Sequence, residues 1–252
     1  MYNYKDRTMF ITGGSTGIGY KTAEYFLKAG GNVVFISRNR ETGVRAMESL
    51  KNISNNIEFI RADVSIEEEV RNAVSQTAEI FGTIDFAFNN AGIEGVFKPL
   101  NELTFEQFRE VIDINIHGVF LAMKYEIDVM LRNGNGVIVN TSSVSGLMNF
   151  PRGLPYVVSK HGVESMTKCT ALEYASQSIR INAIAPGEIR TPMSDRGLDS
   201  EEKRERMKQM LPMKYIGEPD VIAEGVLWLC SEHASYITGA TVPIDGGYTA
   251  RI

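Results

Sequence analysis

Residues 8–19 read Thr-Met-Phe-Ile-Thr-Gly-Gly-Ser-Thr-Gly-Ile-Gly, and this stretch determines the fold. Its first five residues form the short apolar run of a buried strand, and a helical pattern follows the glycines to about Ala29. A strand, a glycine-rich turn and a helix in this order place a phosphate at the helix N-terminus. Glycines let the backbone approach a pyrophosphate because no Cβ intervenes. The spacing here is G-x-x-x-G-x-G, and glycines after a strand can also simply make a turn.

The rest of the chain alternates between strand and helix patterns. Strand patterns lie at 32–37, 57–61, 84–88, 137–139, 178–184 and 237–245, and helical patterns at 65–81, 104–131, 156–175 and 219–230. This alternation predicts an α/β fold in which one doubly wound parallel sheet of about seven strands carries helices on both faces. We expect a single domain over 1–252, since no linker or repeat interrupts the pattern.

Composition excludes several classes of protein. The 252 residues are 43% hydrophobic and carry a net charge of −5, which gives no indication of a nucleic-acid partner. The N-terminus lacks the apolar core of a signal peptide, and no run approaches the ~20 apolar residues of a membrane span. We therefore expect a cytoplasmic protein. The three histidines lack ligand spacing, so we predict no metal, and we expect Cys169 and Cys230 to be buried free thiols.

The end of the second predicted strand bears on the choice of nucleotide. In dinucleotide-binding folds an acidic residue there binds the ribose 2′-hydroxyl of NAD. Here the strand runs into Ser37, Arg38, Asn39 and Arg40, and no carboxylate appears until Glu41. The guanidinium fork of Arg38 suits a 2′-phosphate, which favours NADP, although both arginines could also be solvated residues at a helix start.

Two residues supply a candidate proton-transfer pair. Tyr156 and Lys160 are four positions apart, so they share one face of a helix. An ammonium beside a phenol stabilises the phenolate and lowers the phenol pKa. Ser143, at the end of the apolar run 137–139, is placed to hydrogen-bond the same substrate oxygen. Taken alone, the pair could equally be two solvated residues on a helix face.

With these residues assembled, the sequence resembles the short-chain dehydrogenase/reductase family over essentially its whole length. The residues that carry the resemblance are Thr12-Gly13-x-x-x-Gly17-x-Gly19, Asp63, Asn89-Asn-Ala-Gly92, Asn115, Ser143, Tyr156-x-x-x-Lys160 and Pro186-Gly187. Each is weak alone, but this order and spacing are highly specific. The resemblance implies a Rossmann fold that binds NADP(H) or NAD(H) and transfers a hydride between nicotinamide and an alcohol or carbonyl group.

The resemblance also implies a role for each residue. Tyr156 would be the general acid of carbonyl reduction or the base of alcohol oxidation, and Lys160 would lower its pKa and hold the nicotinamide ribose. Ser143 would position the substrate oxygen, and Asn115 would support a water that links Lys160 to solvent. Asp63, the implied adenine contact, could otherwise cap the turn before Ser65. The implied cofactor-binding residues are Gly13, Ser15, Thr16, Gly17, Ile18, Gly19, Ser37, Arg38, Asp63, Val64, Asn90, Ala91, Gly92, Tyr156, Lys160, Pro186, Gly187, Ile189 and Thr191.

A substrate pocket should be lined by the segments after Gly92, Ser143 and Pro186. These segments nominate Glu94, Ser145, Met148, Pro151, Arg152, Glu188 and Met193, a mixture that suits a sugar, a hydroxysteroid, a cyclic diol or a β-keto ester. Residues 192–214 are charged and rich in methionine. We expect them to form a short helical lid with Met207, Met210 and Leu211 facing inward; a surface excursion without functional motion is the alternative.

Three further expectations concern assembly and activity. The family resemblance implies a homotetramer or homodimer that pairs through the helices carrying Asn115 and Tyr156. The leading functional hypothesis is an oxidoreductase that prefers NADP(H) and acts on a small-molecule alcohol or carbonyl compound. The alternatives are an NAD-dependent alcohol dehydrogenase of the same family and a nucleotide-binding protein without turnover.

Overall fold

The protein, in a computed structural model that describes residues 2–251, is built around the strand that the opening stretch predicts. The predicted domain, 1–252, also includes Met1 and Ile252, which lie outside the described residues. All five residues of this strand are buried, and it pairs in parallel with a neighbour on each side.

Strands and helices alternate along the chain. The strands are β1 (Thr8–Thr12), β2 (Asn32–Ser37), β3 (Ile57–Arg61), β4 (Phe86–Asn89), β5 (Gly136–Thr141), β6 (Ile179–Pro186) and β7 (Thr241–Ile244). The helices are α1 (Gly17–Lys28), α2 (Arg40–Lys51), α3 (Glu67–Phe81), α4 (Phe105–Ile112), α5 (Gly118–Asn133), α6 (Leu154–Tyr174), α7 (Glu201–Met210) and α8 (Pro219–Cys230).

The seven strands form one parallel sheet in the order β3-β2-β1-β4-β5-β6-β7. The predicted α/β fold and single domain are therefore confirmed. Strand order reverses at β1, because β2 lies on one side of it and β4 on the other. Ligands of open α/β sheets bind at such a switch point, in the crevice outside the carboxyl ends of the strands.

Helices cover both faces of the sheet, so both faces are apolar. Phe10 and Ile36 point into one core, while Ile11 and Phe35 point into the other. This follows from the period of two in a strand, and all four side chains are fully buried. The two cores fix the strand ends relative to one another, which is where the functional residues lie.

The predicted helix over 104–131 is interrupted. Thr104 begins α4 with a reciprocal capping box, since its hydroxyl accepts from Gln107 N and Gln107 Oε1 accepts from Thr104 N, each at 3.2 Å. Residues Asp113–His117 then form a π-helical turn before α5 continues the path. Such turns occur frequently at functional sites, and this one carries Asn115.

The first and last residues of the final two strands also differ from the sequence prediction. The sixth strand begins after Ser178, whose φ of 59° places it in a left-handed turn, and it continues to Pro186. The seventh strand is shorter than 237–245, because Gly239 at φ 72° turns the chain before it. These bends are set by single backbone conformations that an apolar pattern does not reveal.

Both cysteines are free thiols, as predicted, but only one is buried. Cys230, the last residue of α8, is buried in the core, whereas Cys169 is exposed on α6, so the prediction of a buried thiol is wrong for Cys169. The surface of α6 at that position faces away from the sheet. No helix within the described part of the chain is long and apolar enough to cross a membrane.

Candidate active site

A cavity of about 580 Å³ opens at the carboxyl ends of the strands, at the switch point. Because of the strand order, lining residues that follow β2 and β3, such as Arg38 and Asp63, lie on one side of it. Residues that follow β5 and β6, such as Ser143 and Glu188, lie on the other side. The glycine turn after β1 lies between these two groups.

The glycine turn leaves backbone groups free to receive an anion. Gly13 and Gly17 have φ of 68° and 55°, and a Cβ on Gly13 would come within 2.9 Å of Ala91 Cα. Thr16 precedes α1 without a side-chain cap, and the first turn of α1 holds no acidic residue. The first N–H groups of α1 therefore face the cavity with the positive end of the helix dipole, as a pyrophosphate site requires.

The implied cofactor residues lie together along this cavity, with one exception. All except Gly19 line it, and Gly19 is buried where a Cβ would collide with Gly13 O. Asn90 Nδ2 donates to Gly13 O at 3.1 Å, which ties the end of β4 to the turn. Ser15 Oγ donates to Ser37 Oγ at 3.0 Å and joins the turn to the end of β2.

Arg38 and Asp63 lie together at one end of the cavity, where the chain leaves β2 and β3. Arg38 is exposed, and its side chain forms no salt bridge within residues 2–251. Asp63 Oδ1 accepts from Ser65 N at 3.0 Å and from Ser65 Oγ at 2.7 Å, so it caps the turn, as the alternative interpretation had it. Burial opposes ionisation of Asp63, but these hydrogen bonds and the charges of Arg38 and Arg61 hold its pKa below the usual value.

Ser143, Tyr156 and Lys160 meet on the inner side of the cavity. Ser143 follows β5, while Tyr156 and Lys160 lie on the first turns of α6, which starts with Pro155 near its N-terminus. Lys160 Nζ donates to Thr141 O at 2.8 Å and lies 5.5 Å from the centroid of the Tyr156 ring. The strand end and the helix start thus bring a hydroxyl, a phenol and an amine to one place.

The pKa values of this group differ from the expectation for Tyr156. Burial raises the pKa of the phenol, a hydrogen bond with Ser143 lowers it, and the charges of Glu94 and Glu188 raise it further. Burial also lowers the pKa of Lys160 to about 8. The expected lowering of the phenol pKa by Lys160 is therefore not seen. The Lys160 amine points to a backbone carbonyl, and burial lowers its own pKa and so its tendency to carry a positive charge.

Asn115 lies behind the cavity, and it does not line the cavity. Its amide exchanges two hydrogen bonds with the backbone of Ile93, at 2.9 and 2.8 Å, and donates a third to Ser159 Oγ at 3.0 Å. A Cβ on Gly92 would lie 3.2 Å from Asn115 Oδ1 and 3.7 Å from Lys160 Nζ. The side chain is thus a satisfied structural amide that also adjoins the amine.

Comparison with known proteins agrees with this geometry. The family model described as enoyl-(acyl carrier protein) reductase matches residues 13–249. The 2,5-dichloro-2,5-cyclohexadiene-1,4-diol dehydrogenase of Sphingobium indicum (strain B90A) is 38% identical over 252 residues, which cover 99% of this chain and 100% of the relative. The chain belongs to the short-chain dehydrogenase/reductase family. As such it is an oxidoreductase that acts on CH–OH or C=O groups.

Solved structures of the short-chain dehydrogenase/reductase family superpose closely on this chain. Levodione reductase does so with a TM-score of 0.95 at 38% identity, covering 99% of this chain and 100% of its own. ElxO with NADP bound gives 0.92 at 36% identity, and NAD⁺-bound xylitol dehydrogenase gives 0.93 at 30% identity. Each of these two matches covers 97% of this chain and 99% of the solved protein's chain.

The substrate end of this short-chain dehydrogenase/reductase differs in part from the prediction. Four of the seven nominated pocket residues, Glu94, Ser145, Glu188 and Met193, line the cavity. Met148 does not, and its backbone N–H donates to Val144 O at 2.9 Å, which extends the short helical turn after Ser143. Pro151 and Arg152 also lie outside the cavity.

Three aromatic residues of the pocket were not predicted from the sequence. Phe97, Phe150 and Tyr248 line the same region, and the rings of Phe150 and Tyr248 stack with centroids 6.3 Å apart. They come from three loops that are far apart in the sequence. The one available signal is that each follows, within a few residues, a glycine or a polar turn at a strand end.

Residues 192–214 form a short turn and the helix α7 beside the pocket. Met207 and Leu211 line the cavity, as predicted. Met210 is 42% exposed, so the expectation that it faces inward is wrong. The reason is that Met210 ends α7 and Leu211 follows it in an extended backbone conformation, so the two adjacent side chains point in different directions and only Leu211 is buried.

Proposed function

We propose that this protein interconverts a ketone and the corresponding secondary alcohol with a nicotinamide cofactor, and that it prefers NADP(H) to NAD(H). The observation that supports the proposal most strongly is that Ser143, Tyr156 and Lys160 line the same cavity as the glycine turn. A proton-transfer group therefore adjoins a dinucleotide cradle. Bound there, the cofactor would supply or accept the hydride.

The chain's own residues hold the nucleotide in this proposal. Gly13 and Gly17 shape the turn, and the free N–H groups at the start of α1 bind the pyrophosphate. Ile189 and Thr191, which follow β6 and line the cavity, bind the carboxamide and so select the face of the ring. Asn115 positions the loop at Gly92 beside Lys160.

Tyr156 donates the proton to the substrate oxygen during reduction. Its raised pKa keeps the phenol protonated at neutral pH, which is the form that a general acid needs. Ser143 donates a hydrogen bond to the same oxygen and stabilises the charge that develops on it. Lys160 binds the nicotinamide ribose.

The preference for NADP(H) is supported by the corner at the end of β2. Arg38 lines the cavity with no ion-pair partner in the described chain, so its guanidinium is available for a 2′-phosphate. The nearest acidic residue after β2, Glu41, pairs instead with Arg45 at 3.2 Å. Ser15 and Ser37 add hydroxyl donors beside the ribose.

Assembly and location complete the proposal. Apolar side chains are exposed along the helices α4, α5 and α6, among them Phe105, Phe120, Val158 and Leu172. Exposed apolar patches of this kind mark protein interfaces, which supports the predicted homotetramer or homodimer. A lid function of residues 192–214 and a cytoplasmic location stay predictions.

Replacing Tyr156 tests the function directly. Tyr156→Phe keeps the ring but removes the proton donor, so kcat for ketone reduction should fall by about 10²–10⁴-fold. The variant should still bind NADPH, which is measured as a rise in melting temperature on addition of the nucleotide. Tyr174→Phe, at the other end of α6, is the matched control and should retain turnover. Undiminished turnover in Tyr156→Phe would exclude the mechanism.

A further inference from the structure

Two carboxylates flank the reaction centre. Glu94 follows β4, Ser143 follows β5 and Glu188 follows β6, and these three strands are neighbours in the sheet. Because adjacent strands lie about 4.8 Å apart, the two acids stand on either side of Ser143 at the inner end of the cavity. Both line it and both are partly buried. Their charges act on Tyr156, and that of Glu94 acts on Glu188.

Neither carboxylate has a partner of its own. Across residues 2–251, no side chain or N–H donates a hydrogen bond to the carboxylate oxygens of Glu94 or Glu188, and no cation forms a salt bridge with them. Burial raises the pKa of both, that of Glu188 to about 7 with the charge of Glu94 adding to the effect. Arg196, on the turn before α7, lowers the pKa of Glu94 only in part. Partly buried acceptors without donors are costly unless a ligand supplies the donors.

The surfaces around these acids are aromatic. Phe97, Phe150 and Tyr248 line the same part of the cavity, and the last two present stacked rings. Flat apolar walls suit the faces of a ring, whereas carboxylates at its edge suit hydroxyl donors. Where both carboxyls are ionised, which for Glu188 requires a pH above about 7, a negatively charged substrate would instead meet two like charges in a site of low dielectric constant.

We infer that Glu94 and Glu188 are specificity residues which accept hydrogen bonds from a second hydroxyl group on a cyclic substrate. The protein then acts on ring diols and hydroxyketones in preference to simple ring alcohols, and it discriminates against rings that carry a carboxylate. This inference rests on the proposed function, since it concerns the substrate of the same site.

The test compares three compounds that share one ring: cyclohexanol, trans-1,2-cyclohexanediol and 2-hydroxycyclohexane-1-carboxylate. With saturating NADP⁺, kcat/KM for the diol should exceed that for cyclohexanol by about tenfold, the contribution of one hydrogen bond to a charged group. The carboxylate should fall below cyclohexanol by at least the same factor, roughly tenfold. Equal values for all three compounds would overturn the inference while leaving the proposed function intact.

Neutral variants identify the residues responsible. In Glu94→Gln and Glu188→Gln the diol-to-cyclohexanol ratio should fall and the penalty on the carboxylate should shrink, each by about three- to tenfold. A ratio is used because the lost charges also act on Tyr156 and change the rate of every substrate alike. Glu224→Gln, an exposed acid on α8, should leave both ratios unchanged. Unchanged ratios in the two pocket variants would also overturn the inference.

A binding measurement separates this inference from the proposed function. The Tyr156→Phe protein saturated with NADP⁺ holds the pocket but not the proton donor, so affinity for the three compounds can be titrated without turnover. The diol should bind most tightly and the carboxylate least. If the compounds bind in this order but the wild-type protein turns over none of them, the proposed function fails, and only the assignment of Glu94 and Glu188 as hydroxyl-binding residues stands. If they bind equally, the inference fails whatever the turnover.

Discussion

Arg38 is the residue on which the proposed cofactor preference depends. It is the first residue after β2, where related folds place an acid for the ribose hydroxyls of NAD. Its guanidinium is exposed and lines the cavity, and its charge lowers the pKa of Asp63 nearby. A single side chain of this kind can decide between two cofactors that differ by one phosphate group, because the phosphate needs a cation and the hydroxyls need an acceptor.

Arg38→Asp should therefore change the preferred cofactor. The carboxylate would repel a 2′-phosphate and accept hydrogen bonds from the ribose hydroxyls, so the ratio of kcat/KM for NADPH to that for NADH should fall by about 100-fold, roughly two charged contacts. Arg40→Asp, an exposed residue that begins α2 outside the cavity, should change the ratio far less. A ratio in Arg38→Asp that matches wild type would show that the 2′-phosphate assignment is wrong.

The helix α7 makes few contacts with the rest of the protein. None of its ten residues is buried, and its charged side chains pair mainly within the helix and with the segment just before it. Only Met207 and the following Leu211 reach the cavity. The helix thus contributes to the substrate site while adding little to the stability of the fold.

This arrangement predicts a difference between two methionines of one helix. Met207→Ala should raise KM for a ring substrate by about five- to thirtyfold, because it removes one apolar contact worth ~1–2 kcal/mol. The melting temperature should change little, since Met207 is only partly buried. Met210→Ala removes the same side chain from an exposed position and is the control. Equal effects of the two variants on KM would contradict a role of α7 in the pocket.

The strands and helices of this protein could be predicted from the sequence where the spacing of apolar residues follows a single pattern, that of a strand or that of a helix. The strands β1, β2 and β3 match the predicted bounds, because β1 and β2 are buried apolar runs and β3 is a half-buried strand with the alternating pattern of a sheet edge. The π-helical turn at Asn115 could not be predicted, since its residues continue a helical pattern and the hydrogen bonds of Asn115 to Ile93 are visible only in the folded chain.

Within the site, sequence reasoning found the residues that belong to local motifs and missed those that depend on packing. Tyr156 and Lys160 are four apart on α6, so their proximity follows from the helix alone. Phe150 and Tyr248 meet across 98 positions of sequence, which is visible only in the folded chain. The same holds for charge, because Glu94 acts on Glu188 across the end of β5, which lies between β4 and β6 in the folded sheet.

For the whole molecule, a buried polar cluster connects the site to the core behind it. Asn89 Nδ2 donates to Glu126 Oε2 at 3.0 Å and to Asn140 Oδ1 at 3.1 Å, and Asn140 Nδ2 donates to Thr167 Oγ1 at 3.0 Å. These residues join β4, β5, α5 and α6 directly behind the cavity. Glu126 is fully buried, and its Oε1 has no hydrogen-bond partner within the described chain. Burial raises its pKa to about 8, with the hydrogen bond from Asn89 opposing the rise.

Glu126 should make the stability of the whole fold depend on pH. Its pKa is about 8 when folded and 4.5 when unfolded, so folding takes up a proton between these values. Its contribution is complete below pH 4.5 and is lost as pH rises through 8, at up to ~1.4 kcal/mol per pH unit. Urea unfolding from pH 5 to 9 should therefore show a decline of roughly a few kcal/mol that Glu126→Gln lacks. Asp128→Asn, exposed on the same helix, should retain the wild-type slope, and a wild-type slope in Glu126→Gln would show that this carboxyl does not carry the effect.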